Sequence, residues 1–351
     1  MNDIDKQGSV SDATPPASPS AFPRTGSGAG VPEPTASGLS LAECVRSATT
    51  APSLHNSQPW LFKMGDGSID VYADRRRQLD VLDPVGRELL ISVGAAVFTL
   101  RLALRGAGRL SDLHLFPDAD DPDLAARVIV GRPAVPTPEV TALAAAIANR
   151  HTNRWPFARA VVPADVLAQL TKAARLEGAT LTVANAVSRN MILGLSQAAD
   201  RRLRSSGGYR AELARWTVPH AGRRDGVPPT AIGPWDALES LPIRDFGLLQ
   251  PQLDRVTEQF EPYPTIVVLA TPGDTERHWL QAGQALQCVL LKATSLHLST
   301  TPISQPIEIP AIRQLLTDTG AGGRAQMIIR VGYGRPATAT PRRPLGEVLL
   351  S

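Results

Sequence analysis

Arg150-His151-Thr152-Asn153-Arg154, set against Pro341-Arg342-Arg343-Pro344-Leu345 near the carboxyl end, decides how this chain is read. Each stretch places fixed positive charge beside hydroxyl or amide donors. A guanidinium is planar, multidentate and charged throughout the neutral range, so such clusters suit a phosphate or another dianion better than acid–base work. Upstream, Pro52-Ser53-Leu54-His55-Asn56-Ser57-Gln58-Pro59-Trp60 adds a polar segment bounded by prolines. Together the three stretches predict a protein built around a phosphorylated cofactor.

Composition narrows the field. At 351 residues, with 43% hydrophobic and 20% charged side chains, the chain can bury a substantial core. A formal charge of +3 with scattered basic residues does not predict a nucleic-acid groove, and 5% aromatic content does not supply a base-stacking platform. Cys44 and Cys288 lie far apart without a CxxC, which predicts neither a disulfide framework nor a zinc site but two small apolar packing residues. The six histidines (55, 114, 151, 220, 278 and 297) contain no HExxH, so no metal is expected. His55 and His151 fall inside the candidate motifs, with hydrogen bonding to backbone as the alternative role. The acidic run from Asp118 to Asp123 lacks the glycine and distal glutamate of a calcium loop and reads as a solvated turn. No apolar run approaches the roughly 20 residues that span a bilayer, and Asp3, Asp5, Lys6 and Asp12 replace a signal-peptide core. A soluble, cytoplasmic protein without nucleic-acid or membrane partners is the expectation.

Residues 1–38 are dominated by Ser, Pro, Gly, Ala and Thr and predict a disordered tail, with Gly26-Ser27-Gly28-Ala29-Gly30 as linker. From Leu39 a repeat emerges. A strand at Ile69–Ala73 precedes a helix capped at Asp83-Pro84, with Val93, Val97, Leu100 and Leu104 on its apolar face and Gly106 and Gly108 as its stop. Val128-Ile129-Val130 is a second strand. The same order recurs with a strand at Thr180–Val183, a helix capped by Asp274 that carries Leu286, Val289, Leu290 and Ala293, and a strand at Met327–Val331. Gly94 and Gly283 occupy matching places in the two helices. The pattern predicts an α+β fold of two tandem half-units, 39–135 and 136–351. An insertion at about 201–263 has no counterpart in the first half. It contains a helical piece at Tyr209–Trp216 and the loop Gly226-Val227-Pro228-Pro229, and it reads as a lid or packing arm, or else as a surface excursion without a role.

The motif Pro-Ser-x-x-Asn-Ser-Gln-Pro-Trp at 52–60, Arg-His-Thr-Asn-Arg at 150–154, and Gly332-Tyr333-Gly334 ahead of Arg342-Arg343-Pro344-Leu345 resemble the nitroreductase superfamily of FMN enzymes. Over residues 40–351 the chain is most similar to the Acg-like branch. There one polypeptide holds two nitroreductase-like halves that imitate the usual dimer, and a lid covers the flavin pocket. The resemblance implies Arg150 and Thr152 at the phosphate and ribityl end of FMN, with His151 between them, and Arg154 near the pyrimidine edge, where a cation stabilises reduced flavin. It implies Arg343, beside Arg342, completing the phosphate site. Pro302, Ile303 and Ser304 would pass the N5 edge, and Pro52, Ser53 and Asn56 would line the other side of the ring. The implied activity is ping-pong hydride transfer from NAD(P)H through flavin N5 to a small electrophilic acceptor, a nitroaromatic or quinone, with no catalytic side chain. The oligomeric expectation is a monomeric pseudo-dimer or a homodimer. Ser304 stands where the family often has an acid. The first half lacks its own arginine motifs, so one flavin per chain is expected.

Other readings compete. The chain could sequester flavin without turnover, or be an apo scaffold with an occluded pocket. Arg150 and Arg154 could cap the helical stretch Thr141–Asn149, Arg342-Arg343 could be a solvated tail pair, and Trp60 could serve only the core.

Overall fold

Two runs of 20 residues, Arg87–Gly106 and Glu276–Ser295, form helices buried along most of their length. A helix that is apolar nearly all round belongs inside a core, and the rest of the fold is arranged about this pair. The computed structural model describes residues 40–217, 222–236, 238–317 and 323–351. The expected tail at 1–38, its glycine run and His220 lie outside the described residues. Residues Leu39–Ser351 make up one compact unit.

In chain order, α1 (Leu41–Ala48) leads to β1 (Trp60–Met64) and β2 (Ser68–Ala73), then α2 (Arg87–Gly106), β3 (Arg109–Leu115) and β4 (Leu124–Pro133). Next come α3 (Pro138–Ala146), α4 (Ala164–Leu176), β5 (Thr180–Val183), α5 (Ala186–Arg204) and α6 (Gly207–Thr217). The chain continues through β6 (Thr265–Thr271), α7 (Glu276–Ser295), β7 (Ser299–Ile303), α8 (Gln305–Glu308), α9 (Pro310–Thr317), β8 (Arg324–Gly332) and α10 (Leu345–Val348). The strands form two four-stranded sheets, ordered β1-β2-β4-β3 and β5-β6-β8-β7, and every strand pair is antiparallel. The two orders are the same, and each sheet has a 20-residue helix between its second and third strands in sequence. The architecture is α+β, as expected.

The helices α2 and α7 meet at Gly94 and Gly283. A Cβ on Gly94 would overlap the Leu280 carbonyl and lie 3.1 Å from the Gly283 Cα, while one on Gly283 would overlap the Ile91 carbonyl and lie 2.9 Å from the Gly94 Cα. Backbone therefore rests on backbone, and the cores interlock. Ile91, Phe98 and Leu102 of α2 join the core of the second sheet, and Leu280 of α7 joins that of the first. Trp60 is fully buried in the first core, as its packing role predicts. Cys44 and Cys288 are free and buried, and burial pushes their thiols up to about 11 and about 12.

Four expectations need correction. The helix placed at Asp83-Pro84 begins at Arg87, after Gly86 turns the chain at φ 76°. Asp83 still serves its first turn by accepting the Leu89 N–H at 2.8 Å. Thr275, not Asp274, caps α7, because its hydroxyl engages His278 Nδ1 at 2.7 Å, whereas Asp274 accepts from Trp279 Nε1 and Arg313. Residues 201–204 are the last turn of α5, so the insertion starts beyond them. Finally, α2 is long and apolar enough to cross a bilayer, although most of it is buried in the core.

Replacing either crossing glycine by valine forces the helices apart. Gly94→Val and Gly283→Val should each cost about 3 kcal/mol or more in urea unfolding, the upper end of core overpacking. Gly194→Ala, on α5 where a Cβ meets nothing within 4 Å, should gain about 0.5–1 kcal/mol.

Candidate functional site: a basic pocket between the halves of the chain

The Arg150–Arg154 segment is laid down as an extra short strand on the edge of the second sheet. Thr152 bridges Thr300 of β7, Asn153 N–H donates to the Thr300 carbonyl at 2.9 Å, and Thr301 Oγ1 donates to the Asn153 carbonyl at 2.5 Å. The Asn153 amide also donates to Ser299 Oγ and the Arg335 carbonyl. The motif's asparagine is thus the anchor, and it leaves Thr152 and Arg154 to face the pocket.

The Ser53–Gln58 segment is a tight loop. His55, Asn56 and Gln58 take φ values of 51°, 55° and 52°, left-handed conformations that cost energy in residues other than glycine. The surroundings hold them there. Ser53 Oγ accepts the Gln58 N–H at 2.9 Å, and Asn56 Nδ2 donates to the carbonyls of Gly226 and Pro341. Gln58 Nε2 donates to the Arg224 carbonyl, and the Arg343 N–H donates to Gln58 Oε1. The insertion and the C-terminal arm together fasten this loop. The arm crosses to the first sheet, where the Leu350 N–H donates to the Phe62 carbonyl at 2.7 Å.

These pieces line a small, partly open cavity of about 90 Å³. The first half contributes Pro52, Ser53, Leu54 and His55, with Glu88, Ile91 and Ser92 of α2. Thr152 and Arg154 form another wall, and Leu286, Pro302, Ser304, Gln305 and Met327 come from the second core. The insertion closes it with Ile243, Arg244 and Phe246. Beyond Ser53 the chain leads back to a second group of charges. Arg150 Nη2 and Arg342 Nη2 both donate to the Thr50 carbonyl, at 3.1 and 3.0 Å, and Arg342 Nη1 donates to Asn56 Oδ1 at 2.9 Å.

The electrostatics of this end are unusual. Arg150 is 4% exposed, and among the described residues neither it nor Arg342 has an acidic partner. The buried Nε of each lacks a hydrogen-bond partner. Burial, then Arg342, pushes Arg150 down to about 9, and burial pushes Arg342 down to about 10. Both stay charged at neutral pH, and the depression measures charge left unmet. His151, half-buried beside them, is also lowered, by burial and then by Arg150 and Arg342. Arg154 donates to the Ala231 carbonyl at 2.7 Å and lies 4.7 Å over Phe246; burial, then Arg244, takes it down to about 10. By contrast, Arg244 is held charged against its burial by Glu308, at 2.5 Å, and by Tyr209.

Of the residues singled out in the sequence, Pro52, Ser53, Thr152, Arg154, Pro302 and Ser304 line the cavity, and Arg150, Arg342 and Asn56 form the adjoining cationic end. Ile303 turns into the core with Ile328. Arg343 is spent elsewhere, donating to the carbonyls of Gln58 and Glu347. Arg150 does end a helical stretch, as the C-cap residue of the 3-10 turn Ile147–Asn149 with its N–H donating to the Ala146 carbonyl at 3.0 Å, but its guanidinium reaches Thr50; Arg154 caps nothing and reaches Ala231. His55 has no backbone partner, contrary to its alternative reading. Glu88, Ile91, Ser92, Leu286, Met327, Ile243, Arg244 and Phe246 went unrecognised. The helical period marked α2 and α7 as buried, and the insertion was flagged as a cover, but nothing local tied these side chains to a pocket. No group of metal-binding side chains occurs among the described residues.

Such a site defines a class, an α+β chain whose two like sheets flank a helix pair beside a cationic pocket. No family model matches the chain. It is 34% identical over 321 residues to "Putative NAD(P)H nitroreductase Rv3131" of Mycobacterium tuberculosis, covering 88% of this chain and 91% of that one. It is 31% identical over 319 residues to "Putative NAD(P)H nitroreductase acg" of the same organism, covering 88% and 94%. Among solved structures, the FMN-dependent nitroreductase NfnB from Mycobacterium smegmatis in complex with NADPH is 15% identical, with a TM-score of 0.38, over 60% of this chain and 97% of that one. The chain belongs to the Acg-like nitroreductase family.

Two buried acids bear on stability. Burial pushes Asp83 up to about 6 and Glu88 up to about 7, with Glu308 adding to both. Each binds its proton more tightly folded than unfolded. Their contribution is therefore full below the unfolded values near pH 4 and is lost as the pH rises through about 6 and about 7. Glu88→Gln should flatten the fall in urea stability across roughly pH 5 to 7.

Proposed function

We propose that the chain is an FMN-dependent NAD(P)H oxidoreductase of the nitroreductase type, acting on a small electrophilic acceptor, a nitroaromatic or a quinone. One observation carries the reading. Buried Arg150 and half-buried Arg342 converge without an acid among the described residues, each with an orphaned buried Nε. A phosphate dianion would satisfy both, and the adjoining cavity is lined by apolar side chains, among them Leu54, Ile91, Phe246, Leu286 and Met327. The residues present fit FMN.

Bound FMN supplies the hydride chemistry. The chain's own part is to bind, orient and screen. Arg150 and Arg342 would hold the phosphate, and Thr152 would offer a hydroxyl to the cofactor from the cavity wall. Arg154 places a permanent cation on the cavity wall, where it stabilises negative charge that develops on reduction. Ile91, Leu286 and Met327 keep water from one side, and Ile243 and Phe246 keep it from the other. The half-units 39–135 and 136–351 take the places of two subunits around one flavin, and the insertion is the lid.

The closed insertion favours a second reading, flavin storage without turnover. Arg244 is tied down by Glu308, Ser304 and Tyr209, so entry needs those bonds released. Anaerobic mixing of holoprotein with excess NADH or NADPH, followed near 450 nm (a flavin band) beside a dithionite control, separates the two. Bleaching by a nicotinamide supports the enzyme, and bleaching by dithionite alone supports storage.

Arg150→Gln and Arg342→Gln should each weaken FMN binding about 10- to 100-fold, the worth of a charge-assisted contact, read as flavin lost on gel filtration. Arg343→Gln should lose far less, because its guanidinium already serves two carbonyls.

A further inference from the structure

His55 presents an imidazole that is left without a hydrogen-bond partner among the described residues. It is 3% exposed and lines the cavity, yet neither Nδ1 nor Nε2 finds a hydrogen bond among the described residues. Leaving a buried polar group unmet is costly. Here it is imposed by a left-handed backbone, φ 51°, that the surrounding contacts hold in place. The ring stands edge-on to Phe246, with centroids 5.0 Å apart at 81°.

The charges around it are Arg154 on the motif strand, Arg244 on the insertion with Glu308 and Tyr209 behind it, and Glu88 on α2. Burial first, then Arg244 and Arg154, lower its proton affinity well below the ordinary histidine value. The ring is neutral at physiological pH, with one N–H donor and one bare nitrogen.

We propose that His55 is a specificity-determining residue of this pocket, whose ring N–H binds a carbonyl or nitro oxygen on a planar aromatic acceptor and so selects oxygen-bearing ligands over hydrocarbons of the same shape. The proposal rests on the oxidoreductase reading for its choice of ligand. Three features support it. The donor is free to pair, because the ring has no competing hydrogen-bond partner among the described residues. The pocket is cationic, so a partly negative oxygen is favoured there over a donor group. Phe246 and Pro52 supply apolar surface for a flat ring.

The test uses acetophenone and ethylbenzene, which share a phenyl ring and a two-carbon side chain and differ by the carbonyl oxygen. Neither undergoes turnover during titration of oxidised holoprotein. Binding is read from the flavin absorbance and from the ring ¹⁵N shifts of His55 in protein labelled at histidine. Acetophenone should bind about tenfold more tightly than ethylbenzene, equal to about 1.4 kcal/mol, and should move the His55 nitrogen shifts, while ethylbenzene should not. His55→Phe should abolish the preference. His55→Asn, which tolerates the left-handed backbone and keeps an amide donor, should restore part of it. Unmoved ring shifts in the wild-type protein, or an undiminished preference in His55→Phe, would overturn the proposal. The ring shifts can be read with or without flavin and without reduction. Failure of NAD(P)H to bleach the flavin would thus sink the oxidoreductase reading while leaving this result standing.

Discussion

The approach of α2 to α7 at Gly94 and Gly283 is the constraint on which the rest depends. Two helices whose backbones touch cannot slide or separate without opening a void in both cores, because Ile91 and Leu280 each sit in the other sheet's core. Close packing makes such an arrangement discrete rather than adjustable. The pocket takes its shape from that crossing. Glu88, Ile91 and Ser92 come from one helix and Leu286 from the other, so the distance between opposite walls is set by two missing side chains in the middle of the molecule.

The arginines of the interior fall into two groups, and the contrast locates the site. Arg330 is fully buried with both Glu261 oxygens at 2.6 Å, and Phe157 lies 3.6 Å from its guanidinium carbon. Arg244 has Glu308. These charges are neutralised inside the protein, as buried ions must be to persist. Among the described residues Arg150, Arg154 and Arg342 reach only uncharged carbonyl, amide and hydroxyl oxygens. Those dipoles offset part of the desolvation cost and none of the net charge. Acid partners are built for Arg87, Arg244 and Arg330, whereas Arg150, Arg154 and Arg342 have none among the described residues, and that contrast marks the cationic pocket.

Much of the fold could be read in the sequence because it rests on local periodicity. The apolar rows of α2 and α7 and the short strands around them follow from hydrophobic spacing alone. Helix starts were misplaced where capping depends on geometry at a distance; Asp83 reaches Leu89 from outside the helix. The site was legible wherever its residues cluster in the chain, as at 52–56 and 150–154. It was not legible where a single side chain arrives from a distant element. Met327 and Leu286 look like any core residue until β8 and α7 are placed, and Phe246 sits in a loop without a pattern. The arginine pair was recognised as a pair, but which member turns inward depends on where the arm crosses Gln58, and the sequence carries no sign of that.

The strained loop ties these parts into one device. His55, Asn56 and Gln58 hold left-handed backbones, each at a cost of about 1–3 kcal/mol, and a free loop would relax. Its restraints come from both neighbours of the pocket. Gly226 and Arg224 of the insertion bind it from one side, and Pro341, Arg342 and Arg343 of the arm bind it from the other. Asn56 is the shared node, donating to insertion and arm while accepting from Arg342. Arg342 of the cationic end, the insertion and the arm are therefore joined through one amide side chain.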